Sequence, residues 1–177
     1  MKSLLLLISL LSFVLFASAQ KPFPENYVGK WKGNLEILSK DGPATADIIN
    51  VTFDVAPLSK NVYQWRTTYD TKTGPMVKDY KLIVDTLVKG HYTIDEGDSI
   101  VLDGYYIGQK LYCTFEVDAL LFFSTYEKQG DRIIFEIAFG PFTSPRKTGD
   151  VKLPAGIVPR VMAYKTESVQ RAVLKLE

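Results

Sequence analysis

The side chains in this sequence that could carry out chemistry are few and scattered. His91 is the only histidine and Cys113 the only cysteine among 177 residues, which excludes an intrachain disulfide framework and disfavours a metal site built from these residue types. A Ser–His–Asp site would have to use His91, which lies on the polar face of a predicted strand, and the chain has no G-x-S-x-G motif. We therefore predict a solvated surface His91, no catalytic residues and no metal ligands.

The sequence also lacks the motifs that bind common cofactors. The oxygen-rich segment Glu96-Gly97-Asp98 does not have the ligand spacing of an EF-hand loop, and no phosphate-binding glycine loop or dinucleotide fingerprint is present. Lys and Arg (21) balance Asp and Glu (20) and are spread along the chain, so no basic stripe exists for nucleic acid. We expect no cofactor and no nucleic-acid partner.

The first 19 residues have the pattern of a secretory signal peptide. Lys2 precedes an apolar stretch at 4–16, and Ala17-Ser18-Ala19 supplies small residues suited to cleavage. That stretch is shorter than the ~20 residues that span a bilayer. We expect a secreted or periplasmic protein whose mature domain, residues 20–177, has no membrane span and buries its lone Cys113.

Apolar and polar residues of the mature domain alternate with a period of two, as in strands with one buried face. The segments 49–55, 63–69 and 111–117 show this pattern, and short turns such as Gln129-Gly130-Asp131 separate them. Two packed sheets would show the same alternation, but they usually need longer crossing connections. The sequence therefore predicts an all-β fold, a single antiparallel up-and-down β-barrel of about ten strands.

The segment 140–159 departs from this pattern. It contains Pro141, Pro145, Pro154 and Pro159. Since proline removes hydrogen-bond donors from a ladder, the segment cannot be a central strand. Two interpretations stay open: a surface excursion that covers an edge or end of the sheet, or a functional loop that contacts a partner protein.

The opening of the first predicted strand resembles a known family signature. Gly29-Lys30-Trp31 is similar to the G-x-W motif of the calycin superfamily, the lipocalins and fatty-acid-binding proteins, and the lead-in at 23–28 also resembles theirs. The resemblance implies that Trp31 closes one end of the barrel beneath an arginine from near the chain's end, for which Arg171 is the candidate. The chain lacks the disulfide cysteines of secreted lipocalins and clear helical character before the last strand.

Two further segments resemble small exported bacterial proteins of lipocalin-like type. They are 89–95, with sequence KGHYTID, and 170–174, with sequence QRAVL. This resemblance implies no activity.

Aromatic residues on the predicted inner faces suggest a binding pocket. Ten strands enclose more volume than side chains easily fill, so we expect a non-catalytic protein that binds a small hydrophobic or amphipathic molecule inside the barrel. Plain core packing is the alternative for each residue, and an isomerase- or hydrolase-like enzyme with a buried carboxylate is the alternative function. The candidate pocket residues are Phe53, Tyr63, Trp65, Tyr80, Tyr92, Phe115, Phe123 and Phe135.

Overall fold

The structure is a computed structural model that describes residues 21–39, 42–43 and 48–177. The expected signal peptide at 1–19 lies outside the described residues. A 3-10 helix, Glu25–Tyr27, precedes the strands. The strands in chain order are β1 Gly29–Ser39, β2 Gly42–Pro43, β3 Ile49–Ser59, β4 Val62–Thr71, β5 Gly74–Val84, β6 His91–Gly97, β7 Ile100–Ile107, β8 Lys110–Val117, β9 Leu120–Gln129, β10 Arg132–Pro141, β11 Arg146–Thr148, β12 Val151–Leu153, β13 Gly156–Val158, β14 Val161–Ala163 and β15 Ser168–Leu176.

Ten of these strands close into an antiparallel barrel. β1 pairs with β3, each following strand pairs with the next along the chain as far as β10, and β15 pairs with both β10 and β1. The two-residue β2 adds a short pairing to β1. The prediction of an all-β, up-and-down barrel of about ten strands is confirmed.

Tight turns fix the register between neighbouring strands. The two-residue loops Asp98-Ser99, Gly108-Gln109 and Asp118-Ala119 have positive φ at both positions. Positive φ at both central residues is the property of the type I′ turn, whose twist matches that of two paired strands. These loops therefore support the meander that carries alternate side chains into the barrel.

One end of the barrel is closed by a plug, residues 23–27, that includes the 3-10 helix. Tyr27 is fully buried, and its carbonyl oxygen accepts a hydrogen bond of 2.7 Å from Trp31 Nε1. The Phe23 ring stacks on Tyr106 with centroids 4.1 Å apart. The Tyr63 hydroxyl donates to the Glu25 carboxylate at 2.7 Å. These contacts close this end of the barrel with aromatic rings.

An arm, residues 142–167, connects β10 to β15. It contains two short antiparallel ladders, β11 with β14 near its base and β12 with β13 further out. Every residue of the arm is exposed or half-buried. Gly140 and Pro141 end β10, and the rest of the proline-rich segment 140–159 forms no central strand, as predicted.

Cys113 is buried in the core, as the sequence predicted. Across the described ranges, no helix is both long enough and apolar enough to cross a membrane.

Candidate functional site

A cavity of about 430 Å³ occupies the half of the barrel away from the plug. This volume is in the range of sites that hold small organic molecules, roughly 300–1,000 Å³. Met76 and Lys78 on its wall are exposed, so the cavity opens to solvent at this end. Its apolar lining residues are Leu35, Ile37, Ile49, Met76, Ile94, Leu102, Phe115, Phe122, Phe135 and Ile137.

An aromatic layer forms the floor of the cavity. Tyr126 lies in this layer, with ring centroids 4.8 Å from Phe135, 5.2 Å from Trp65 and 5.6 Å from Phe53. Burial raises the pKa of the Tyr126 phenol well above its ordinary value, so this group is neutral at physiological pH. The layer separates the cavity from the plug and presents apolar surface to the cavity.

The indole nitrogen of Trp65, in the floor of the cavity, is a buried polar atom with an unusual environment. Its Nε1 is buried without a partner of good hydrogen-bond geometry among the described residues, although the indole still lowers the pKa of the adjacent Tyr126. A buried donor left unpaired costs about 1–3 kcal/mol. The floor is therefore packed for its apolar contacts rather than for hydrogen bonding.

Polar groups line the wall between the floor and the mouth. Burial raises the pKa of Tyr80, and the charge and hydrogen bond of the half-buried Glu96 raise it further. Lys78 lies two residues from Tyr80 on the same face of β5, nearer the opening. The other polar lining residues are Thr67, Tyr69, Thr71, Ser124, Tyr126 and Gln170. A molecule with an apolar body and a polar end fits this distribution.

The eight candidate pocket residues occupy three different places. Tyr80, Phe115 and Phe135 line the cavity. Four others belong to the packed core, in or below the floor, and do not line the cavity: Phe53, Tyr63, Trp65 and Tyr92.

Phe123 is the eighth candidate, and it lies on the outer face of β9. It is 46% exposed, and its ring tilts against Tyr112 at 6.0 Å. The expectation that it faces the interior is wrong. The segment 120–126 is apolar on both faces, so alternation alone does not identify the inner one, and the structure turns Ser124 and Tyr126 inward.

Arg171 also lies outside the barrel, which corrects the arrangement that the family resemblance implied. It is half-exposed, with its Nε 3.9 Å from Glu136 Oε2, because the alternate residues of β15, such as Ala172, face inward. Trp31 is buried at the plugged end, two residues after Gly29 opens β1, and the Lys128 ammonium lies 5.4 Å from its ring centroid. A cation does cover this tryptophan, but it comes from β9.

Sequence reasoning missed several polar residues of the cavity. Thr67 lies within the alternating segment 63–69, but the pocket prediction named only aromatic residues. Lys78 faces inward like Tyr80, and Glu96 faces inward like Ile94. Extending each alternation towards the strand ends would have found them.

His91 lies on the outer face near the plugged end, and its environment differs from the solvated one predicted. Its side chain is only 17% exposed, with Nδ1 2.7 Å from Asp85 Oδ2 and Nε2 3.0 Å from Asp103 Oδ1. These two hydrogen bonds raise the pKa of His91. An imidazole held by two carboxylates favours its protonated form, which cannot act as a general base.

No metal centre is visible in the described part of the chain, where His, Cys, Asp and Glu form no group of three suited to hold an ion. No protein-family model matches the chain, and no curated protein matches it. The function therefore has to be inferred from the cavity itself.

Proposed function

We propose that this protein is a non-catalytic binding protein that holds a small hydrophobic or amphipathic molecule inside the barrel. One observation carries this proposal: an apolar cavity of about 430 Å³, closed by an aromatic floor and open at the other end. Burial of apolar surface supplies about 25 cal/mol per Å², which is the main source of affinity in such a site. A ring of ten strands is compatible with a calycin-like fold, and kinship with that superfamily is part of the proposal.

The lining residues support an orientation for the bound molecule. Phe135 and Ile94 lie at the apolar end of the cavity, near the floor. Lys78 and Glu96 provide charges nearer the mouth. Since an unpaired charge is costly to bury, the polar end of an amphipathic molecule would stay beside these two side chains.

Two neighbouring threonines on β4 allow a matched test. Thr67 is buried and lines the cavity, whereas Thr68 lies on the opposite face of the same strand. Titration with a fluorescent apolar probe, and its displacement by fatty acids of increasing length, measures occupancy. We expect Thr67→Phe to weaken binding by about tenfold or more, because its ring takes up cavity volume, and Thr68→Phe to bind like the unchanged protein.

Thermal unfolding of both variants checks that the barrel stays folded. Absence of saturable probe binding in the unchanged protein would refute the proposal. Equal affinity of the Thr67→Phe variant would refute the cavity as the site.

An enzymatic function is the second candidate, and the position of Glu96 favours it. This carboxylate lines the cavity and interacts with Tyr80, so an ionisable pair stands next to a bound molecule. Such a pair could move a proton in an isomerase- or hydrolase-like reaction. Mass spectrometry of the ligand recovered after prolonged incubation separates the two functions: a binding protein returns it unchanged, whereas an enzyme converts it and Glu96→Gln stops the conversion.

We also propose that the protein is exported. The support is the pattern of residues 1–19, with its charged start, apolar stretch and small-residue cleavage site. Amino-terminal sequencing of the protein recovered outside the cytoplasm should begin at Gln20.

A further inference from the structure

The outer end of the arm exposes an apolar tip, residues 151–158. Its sequence VKLPAGIV contains one charged residue, Lys152. Ile157 is 78% exposed, and Val151 and Leu153 are each about half exposed. A two-stranded hairpin that stands alone is marginally stable in water. Exposed apolar patches mark sites of interaction, so we expect another surface to cover the apolar side chains of this tip.

Apolar side chains lie on both faces of the tip. Val151 pairs with Val158, and Leu153 shares their face because it lies two residues further along the strand. Ile157 pairs with Lys152 on the opposite face. The surface of a single protein partner would cover one face and leave the other in water, whereas immersion in a lipid layer covers both.

The arm as a whole is basic. The arm has five Lys or Arg residues against two Asp or Glu residues. Arg160 pairs with Asp150, and Lys165 pairs with Glu167. Within the described ranges, Arg146, Lys147 and Lys152 have no acidic partner. Lysines are depleted at protein interfaces, and two copies of a basic arm repel each other, so this charge disfavours a protein partner or a second copy of the chain. Positive charge is complementary to an anionic lipid surface.

We propose that the tip inserts into the headgroup region of an anionic phospholipid membrane, with the basic residues against the lipid phosphates. The unpaired backbone edges of the hairpin need water, so insertion stops at the boundary between headgroups and acyl chains, about 5–10 Å deep.

The base of the arm joins the barrel beside the mouth of the cavity. The Glu167 backbone N–H donates to the Phe139 carbonyl at 2.9 Å, and the Phe142 N–H donates to that of Ala119 at 3.2 Å. Ile137 and Gln170, one on each barrel strand that flanks the arm, both line the cavity. Docking by the tip therefore holds this end of the barrel near the membrane.

Co-sedimentation with vesicles tests the proposal. Vesicles of phosphatidylcholine alone are compared with vesicles that also contain phosphatidylglycerol, with the purified protein and no added ligand. We expect binding to the anionic vesicles, weakened by salt. The double substitution Leu153→Asp with Ile157→Asp should weaken it by about tenfold or more, and Lys147→Gln and Lys152→Gln by about fivefold each.

Ile107→Asp is the matched control. Ile107 is 64% exposed at the β7–β8 turn, at the plugged end of the barrel, and its substitution should leave vesicle binding unchanged. A second measurement uses Leu153→Trp, whose emission should shift to the blue on anionic vesicles. The native Trp31 and Trp65 are buried and should not respond.

Three results would overturn the proposal: no binding of the unchanged protein to anionic vesicles, equal binding by the Leu153→Asp and Ile157→Asp double variant, or a dimer in solution that this double variant dissociates. The inference rests on the arm alone and is measured without a ligand. Its failure leaves the cavity proposal intact, and failure of probe binding leaves this proposal intact.

Discussion

Replacement of Gly33 by alanine tests the seam where the barrel closes. Gly33 lies on β1 opposite Leu174 of β15. A Cβ atom added at Gly33 would lie 2.2 Å from the Val173 carbonyl oxygen, whereas ordinary contacts begin near 3.4 Å. The clash is with backbone, which cannot rotate away as a side chain can, so the two strands have to separate locally.

The expected cost follows from two opposing effects. Overpacking of this kind costs about 1–3 kcal/mol, and alanine recovers about 0.5–1 kcal/mol because it restricts the unfolded chain more than glycine does. From the middle of each range, we expect Gly33→Ala to lower the free energy of unfolding by about 1–1.5 kcal/mol. With a slope of about 2 kcal/mol per molar urea, the midpoint of unfolding falls by roughly 0.5–0.75 M.

Gly104 provides the control for this experiment. It also lies within a barrel strand, but its added Cβ would meet the Leu111 Cδ1 at 3.0 Å and the Cys113 Sγ at 3.3 Å, so these two buried side chains need to shift by only a few tenths of an ångström. Gly104→Ala should change stability by less than about 0.5 kcal/mol. Equal effects of the two substitutions would contradict the close contact between β1 and β15. They would also contradict the closed barrel whose wall surrounds the cavity.

Three further predictions concern single side chains. Lys128→Met should destabilise the protein by about 0.5–1 kcal/mol in urea unfolding, and a double-mutant cycle with Trp31→Phe should assign that loss to the cation–π contact; a zero coupling energy would contradict it. Burial raises the pKa of Cys113 to about 11, so at about pH 8 a disulfide reagent should label it roughly 100-fold more slowly in the folded protein than in urea, and equal rates would contradict its burial. Asp85→Asn should lower the pKa of His91 in an NMR titration, because it removes the largest cause of the raised value; an unchanged titration would contradict the contact. Because the pKa of His91 is raised in the folded protein, its protonation stabilises the fold at pH values below about 6.5, the ordinary pKa of histidine, and this contribution is lost as the pH rises through the raised pKa. Between about pH 6 and pH 8, the free energy of unfolding should therefore fall less in the Asp85→Asn variant than in the unchanged protein.

The sequence predicted the barrel because most of its strands have only one apolar face. In segments 49–55 and 63–69 the alternation identifies which residues face inward, and the structure agrees. The same rule was wrong for Phe123 because both faces of its strand are apolar. It was also wrong for Arg171, whose neighbours Val169 and Val173 are apolar although they lie on the outer face.

The cavity was harder to predict than the fold. Glu96 is next to the last residue of β6, where a polar side chain looks like part of a turn. Lys78 lies in the middle of β5, where a charged side chain on an inner face is not expected from the apolar alternation. The position of the aromatic floor along the barrel depends on how rings from non-neighbouring strands pack together. The alternation of apolar and polar residues along the sequence does not contain this information. The prolines excluded a central strand at 140–159, but they could not indicate the register of the hairpin in the arm.

The order in which the strands pair has a consequence for the synthesis of the chain. Among the described strands, β15 is the one that joins β10 to β1, and it is the last of them in chain order. A chain that stops before Ser168 would be an open sheet with two unpaired edges, each able to template association with other chains. Chains cut short before β15 are therefore expected to form insoluble aggregates rather than a smaller version of the same barrel.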